Sequence, residues 1–153
     1  MKFRMVDRIV GYERCRSIRA AKTVSFEEYQ LKSTFGDQPC LPESLVLESL
    51  FQSAVWLIML SSDFAKMGLL VRAQEVRFIE PVRPGQTMFL EVQARSYRSD
   101  GVLFDGQARV NRKTVAYGKG CLAGVVQLAE YFAPDDLKVL FSEIYRPNTH
   151  NLA

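Results

Sequence analysis

The chain is poor in the residues that most often build reactive centres. Its one histidine, His150, stands near the end, away from every motif described below. Cysteine is also scarce: Cys15, Cys40 and Cys121 are odd in number and show no Cys-x-x-Cys spacing. Neither a disulfide framework nor a zinc site is therefore expected, and no metal or cofactor is implied. No stretch reaches about 18 apolar residues without a charge, so no membrane span is expected. Residues 1–10 alternate charged and apolar side chains and lack the apolar core of a secretory signal, which leaves a cytoplasmic protein as the expectation. Charge of one sign is not concentrated anywhere. The 20 Lys and Arg and 17 Asp and Glu are scattered to a net +3, and without a recognisable motif this balance argues against a nucleic-acid partner.

What is present fits one domain. At 153 residues the chain can bury roughly 70% of the surface it exposes when unfolded. Apolar residues make up 48% and charged residues 24%, close to the globular average, so neither disorder nor a fibrous class is suggested.

The clearest element begins at Pro42. Proline suits the first helical position, and Glu43 beside it complements the positive end of the helix dipole. A helix is predicted from there to about Ser62. Apolar residues from Leu45 to Leu60 leave it no wide polar face, the mark of a helix enclosed by protein. Its polarity is confined to Ser44, Glu48 and Gln52, spaced by four and so on one narrow seam.

Strands are expected on either side. Residues 6–12 and 17–24 read as an opening hairpin, and residues 25–42, without any period, as a long loop. After a loop around residues 66–68, strands are predicted at 70–79, 87–97, 102–111 and 114–123. Arg83-Pro84-Gly85-Gln86 and Ser99-Asp100-Gly101 supply the turn chemistry between them. Leu90, Val92 and Ala94 alternate with Glu91, Gln93 and Arg95, and Phe104, Ala108 and Val110 with Asp105, Gln107 and Arg109. One face of an antiparallel sheet is thus apolar and available to the helix. Pro134, Asp135 and Asp136 open a second helix, with an apolar stripe at Leu137, Leu140, Phe141, Ile144 and Tyr145. The fold class is α+β, with a main domain over residues 1–126 and a C-terminal helix and tail over 127–153 packing on it.

Two segments carry a family resemblance. Residues 35–52, FGDQPCLPESLVLESLFQ, resemble the stretch HFPGHPxMPGxLxxEAxAQ of the bacterial β-hydroxyacyl-acyl-carrier-protein dehydratases, matching without gaps at Phe35, Pro39, Pro42, Leu45, Glu48 and Gln52. Residues 77–86, RFIEPVRPGQ, resemble that family's RFRRPVxPGD, and residues 4–8, RMVDR, its LLVDR. The resemblance implies a hot-dog fold, a curved antiparallel sheet wrapped around one long helix, here with a C-terminal helical extension. It also implies a homodimer and a substrate that is an acyl thioester on acyl-carrier protein or coenzyme A, in the making of fatty acids or related lipid or polyketide chains.

By position, the family's catalytic glutamate is Glu48 and its catalytic histidine is replaced by Thr34. A threonine cannot take a proton at physiological pH. Losing one general acid or base costs on the order of 10² to 10⁴ in rate, so another group must supply the step if the reaction survives. Asp37 is the nearest carboxylate in the same loop, or is simply a solvated turn residue. The resemblance places Phe35, Leu41, Pro42, Gln52 and the backbone N–H of Glu43 at substrate-binding positions. The first N–H groups of any helix lack intrahelical partners and can face a carbonyl. Three functions fit this pattern: a dehydratase-like lyase, a thioesterase using Glu48, or a non-catalytic acyl-binding partner subunit.

Overall fold

The computed structural model describes residues 4–27 and 38–147. One antiparallel sheet of six strands has the order β1-β2-β4-β5-β6-β3. The strands are β1 (Arg8–Glu13), β2 (Ser17–Thr23), β3 (Lys66–Phe78), β4 (Thr87–Tyr97), β5 (Gly101–Val110) and β6 (Lys113–Gln127). Helix α1 (Glu43–Ser61) lies across one face, and α2 (Pro134–Ile144) follows a single 3-10 turn at Leu128–Glu130.

Alternation places the core. In β5, Val102, Phe104, Gly106, Ala108 and Val110 are buried, and the residues between them are half-buried on the opposite face. Register then carries the inner face across the sheet: Leu90 opposes Ala108, Val92 opposes Gly106, and Ile18 opposes Val92. Irregular registers at Ile9/Gly11, Leu70/Arg72, Ala94/Ser96 and Phe104/Gly106 insert bulges, which bend and twist the strands so that the sheet curls around α1.

Two expected boundaries need correction. Pro42 is the residue before α1 rather than its first helical position: its ψ of 138° is extended, so the chain turns helical only at Glu43. Residues 66–68, expected as a loop, are the start of β3. The glycine that suggested a turn serves another purpose, because a Cβ on Gly68 would come within 2.7 Å of Ile58 Cδ1 and 3.3 Å of the Ala123 Cβ. Gly68 is where the helix presses on the strand.

Helix α1 is long and apolar enough to cross a membrane by composition, but it is a core helix, with Trp56, Leu57, Ile58 and Met59 all buried. Its buried Ser49 and Ser53 donate to the carbonyls of Leu45 and Ser49, so neither leaves a polar atom unsatisfied. Helix α2 behaves as its stripe requires. Leu137 and Ile144 are buried, and Phe141 lies 6.2 Å from Trp56 and 4.9 Å from Tyr145, ring centre to ring centre. Beyond it, Tyr145 bridges Ile9 of β1, and the Arg146 N–H donates to the Ile9 carbonyl at 2.9 Å.

Candidate functional site

The two motif segments meet at the start of α1. The Leu41 N–H donates to the Val82 carbonyl at 2.7 Å, with both residues buried. Residues 83–86 form the turn that follows, with Pro84 and then Gly85 at φ 86°, a conformation that glycine adopts without strain. The Pro42 carbonyl receives the N–H groups of Leu45 and Val46. Glu43 and Ser44 therefore keep backbone N–H groups that no acceptor among the described residues takes up, and both residues are exposed. This is an open pair of donors at the positive end of a helix of 19 residues.

Glu48 lies one turn further along and is half-buried. Leu50 and Phe51, which meet the sheet at Gly106 and Phe104, are about 200° and 300° around the helix from Glu48, so the carboxylate lies on the flank of the helix beside its sheet-facing stripe. Its partner is Gln52, whose Nε2 donates to Glu48 Oε1 at 3.0 Å. Gln52 is itself buried, and its Oε1 accepts the Met5 backbone N–H at 2.8 Å. The seam expected from the four-residue spacing is thus built between Glu48 and Gln52. Ser44 sits on the same side without joining them in a hydrogen bond. Met5 could not have been anticipated, because what it contributes is a backbone amide and its side chain reads only as core.

Thr34, Phe35 and Asp37 lie outside the described residues, as does His150. Cys40 is half-buried just ahead of Pro42. Trp56 is buried in the core, with Phe141 packed beside it. Among the described residues no group of His, Cys, Asp or Glu side chains is placed to hold a metal.

A hollow of about 450 Å³ lies elsewhere, on the outer face of β4, β5 and β6. Glu91, Gln93, Asp105, Gln107, Tyr117 and Lys119 line it. Its carboxylates are occupied: Asp105 pairs with Arg95 and accepts the Gly120 N–H at 2.9 Å, while Glu91 faces Arg109 at 3.6 Å and accepts from Gln107 at 3.2 Å. The sheet separates this hollow from Glu48.

The FabA-like domain family matches residues 1–119, which takes in β1 to β5, α1 and both motif segments. The chain belongs to that family. This FabA-like chain is 34% identical over 119 residues to the 3-hydroxyacyl-[acyl-carrier-protein] dehydratase FabZ of Histophilus somni, covering 76% of this chain and 79% of that protein. It is 35% identical over 112 residues to the FabZ of Sodalis glossinidius, covering 71% and 74%. Among solved structures it is similar to the dehydratase heterocomplex ApeI:P of Xenorhabdus doucetiae, at TM-score 0.57 and 16% identity, covering 75% of this chain and 91% of that one. A mutant of the fluoroacetyl-CoA-specific thioesterase FlK is similar at TM-score 0.64 and 14% identity, over 84% and 98%. At these identities the structures speak to the fold, and the fold is the hot-dog arrangement of curved sheet and central helix.

Proposed function

We propose that this chain is a dehydratase-like protein that takes a 3-hydroxyacyl thioester against the start of α1, with Glu48 as its acid and base. The observation that carries the reading is the pairing of a half-buried, hydrogen-bonded carboxylate with two unengaged backbone N–H groups one turn away. Dehydration needs both. A base removes the α-proton while donors hold the charge that builds on the thioester oxygen, and the hydroxyl leaves as water when an acid protonates it. Glu43 and Ser44 N–H suit the oxygen, and Glu48 suits the proton steps. The relatives named 3-hydroxyacyl-[acyl-carrier-protein] dehydratases support acyl-carrier protein as the carrier here, with coenzyme A the alternative and synthesis of fatty-acid or related chains the proposed setting. Thr34 and Asp37 are assigned to the same site by position: Thr34 to hold a water and Asp37 to replace the absent imidazole. Phe35, Leu41 and Pro42 would line the approach.

Incubation with a 3-hydroxyacyl thioester should give the enoyl product and water. Glu48→Gln should lower that turnover by about 10² to 10⁴, the range for losing a general acid or base. Unchanged turnover in this variant would remove Glu48 from the site. Release of free thiol in place of enoyl product would make the protein a thioesterase, the activity of several of its fold neighbours.

A second reading, a partner subunit that binds the acyl group while another chain does the chemistry, is favoured by Thr34 at the histidine position. One similar structure is itself described as a dehydratase heterocomplex. Binding of acyl-carrier protein with no turnover by the chain alone would establish it.

We also propose a homodimer in the cytoplasm, joined along β3. This strand has 13 residues, pairs among the described residues only with β6, and exposes Leu69, Leu70 and Val71, the last at 64%. An edge so long and apolar invites another strand. Sedimentation at micromolar concentration should give a dimer, and a monomer there would overturn the assignment.

A further inference from the structure

Glu48 is held by a relay that begins outside its own helix. The Gln52 amide lies between a carboxylate of its own helix, which can only accept, and the Met5 N–H, which can only donate, and both ask for the same orientation. Because Met5 offers a donor at 2.8 Å, Gln52 must present Oε1 to it, and the amide is forced to point its Nε2 at Glu48, 3.0 Å away. One oxygen of Glu48 is thereby engaged, and the other accepts no hydrogen bond from the described residues.

The Met5 amide is in turn fixed by what happens two residues later. Asp7 donates its N–H to the Ala21 carbonyl at 2.9 Å, and its carboxylate accepts the Thr23 N–H at 2.7 Å and faces the Lys22 ammonium at 3.6 Å. Lys22 is the one charged side chain buried among the described residues, and it lies on the inner face of β2 with Ile18 and Ala20. A charge in that place needs a strong local reason, since burying an ammonium is costly unless it is paired. Pinning Asp7, and through it residues 5–7, supplies one.

We infer that Asp7 and Gln52 are positioning residues for Glu48: Asp7 anchors residues 5–7 on β2, the Met5 amide orients Gln52, and Gln52 sets the carboxylate. This moves Gln52 from the substrate contacts, where the sequence resemblance placed it, to the support of the acid. The inference rests on Glu48 being the working group of the site.

Two measurements test it, one of which needs no turnover. In protein carrying ¹⁵N-glutamine and ¹³C-glutamate, the Gln52 side-chain amide should exchange slowly with water. Asp7→Ala should speed that exchange and shift the Glu48 carboxyl resonance, while Asp7→Glu should restore both. With a 3-hydroxyacyl thioester, Asp7→Ala should lower kcat about 10- to 100-fold with KM little changed, as displacement of a reacting group by about 1 Å does. Asp7→Asn, a milder change, covers the case in which Asp7→Ala fails to fold. If folded Asp7 variants leave the Gln52 and Glu48 signals where they were, the relay is overturned, whatever the activity. If the signals move as expected in a protein that dehydrates nothing, the relay stands and the dehydratase reading falls.

Discussion

Gly68 and Cys121 show how little tolerance single positions have in so enclosed a core. The nearest atom to a Cβ at Gly68 would be the tip of Ile58, itself fully buried in the core. Gly68→Ala should therefore overpack the contact and cost about 1–3 kcal/mol, read as a lower Tm and an unchanged fold by circular dichroism. Cys121 is wholly buried, and burial pushes its thiol up to about 11, with the Asp105 charge adding to the shift. The folded value lies above the ordinary 9.0, so the neutral thiol's contribution is complete below pH 9 and is lost as pH rises through 11. The denaturant midpoint should hold steady from pH 7 to 9 and fall above it. Cys121→Ala should make that fall shallower, and identical alkaline profiles would dispose of the thiol's part. The sequence reveals Glu48 and Gln52 as a pair because i and i+4 spacing is local. It does not reveal Met5 or Asp7 as their support, because that contact joins residues 47 apart and uses a backbone atom with no identity in the letters.

Among the elements, α1 and β4 were almost wholly legible. A run of apolar residues with a four-residue polar seam is the pattern of an enclosed helix, and alternation in residues 87–97 is that of a half-buried strand. β3 was the exception. From residue 70 onward it is expected as a strand, but its start is not: Leu69, Leu70 and Val71 are exposed in succession, so no alternation marks that stretch, and Gly68 resembles a turn. Helix α2 was readable from its stripe, though its target was not. That target includes Trp56, the only tryptophan in the chain, which makes the contact easy to watch. Phe141→Ala should shift the tryptophan emission to the red and lower stability by about 1–3 kcal/mol, less than for a fully buried phenylalanine because Phe141 is only partly enclosed. Unaltered emission would mean that α2 does not shield the indole in solution.

For the whole molecule, the two margins of the sheet are treated differently. The margin at β1 is stopped by the chain's own C-terminal segment, where Tyr145 and Arg146 take the backbone of Ile9. The margin at β3 carries no such cover among the described residues. Among the described residues, the proposed pairing along β3 would give the sheet a valence of one. Units of valence two polymerise and units of valence one terminate each other, so on that proposal growth by strand addition would end after a single step. Monovalence also sets the rules of mixing: a different chain with the same kind of free margin would compete for one seat, and the population would sort into pairs, like or unlike, in proportion to affinity and supply.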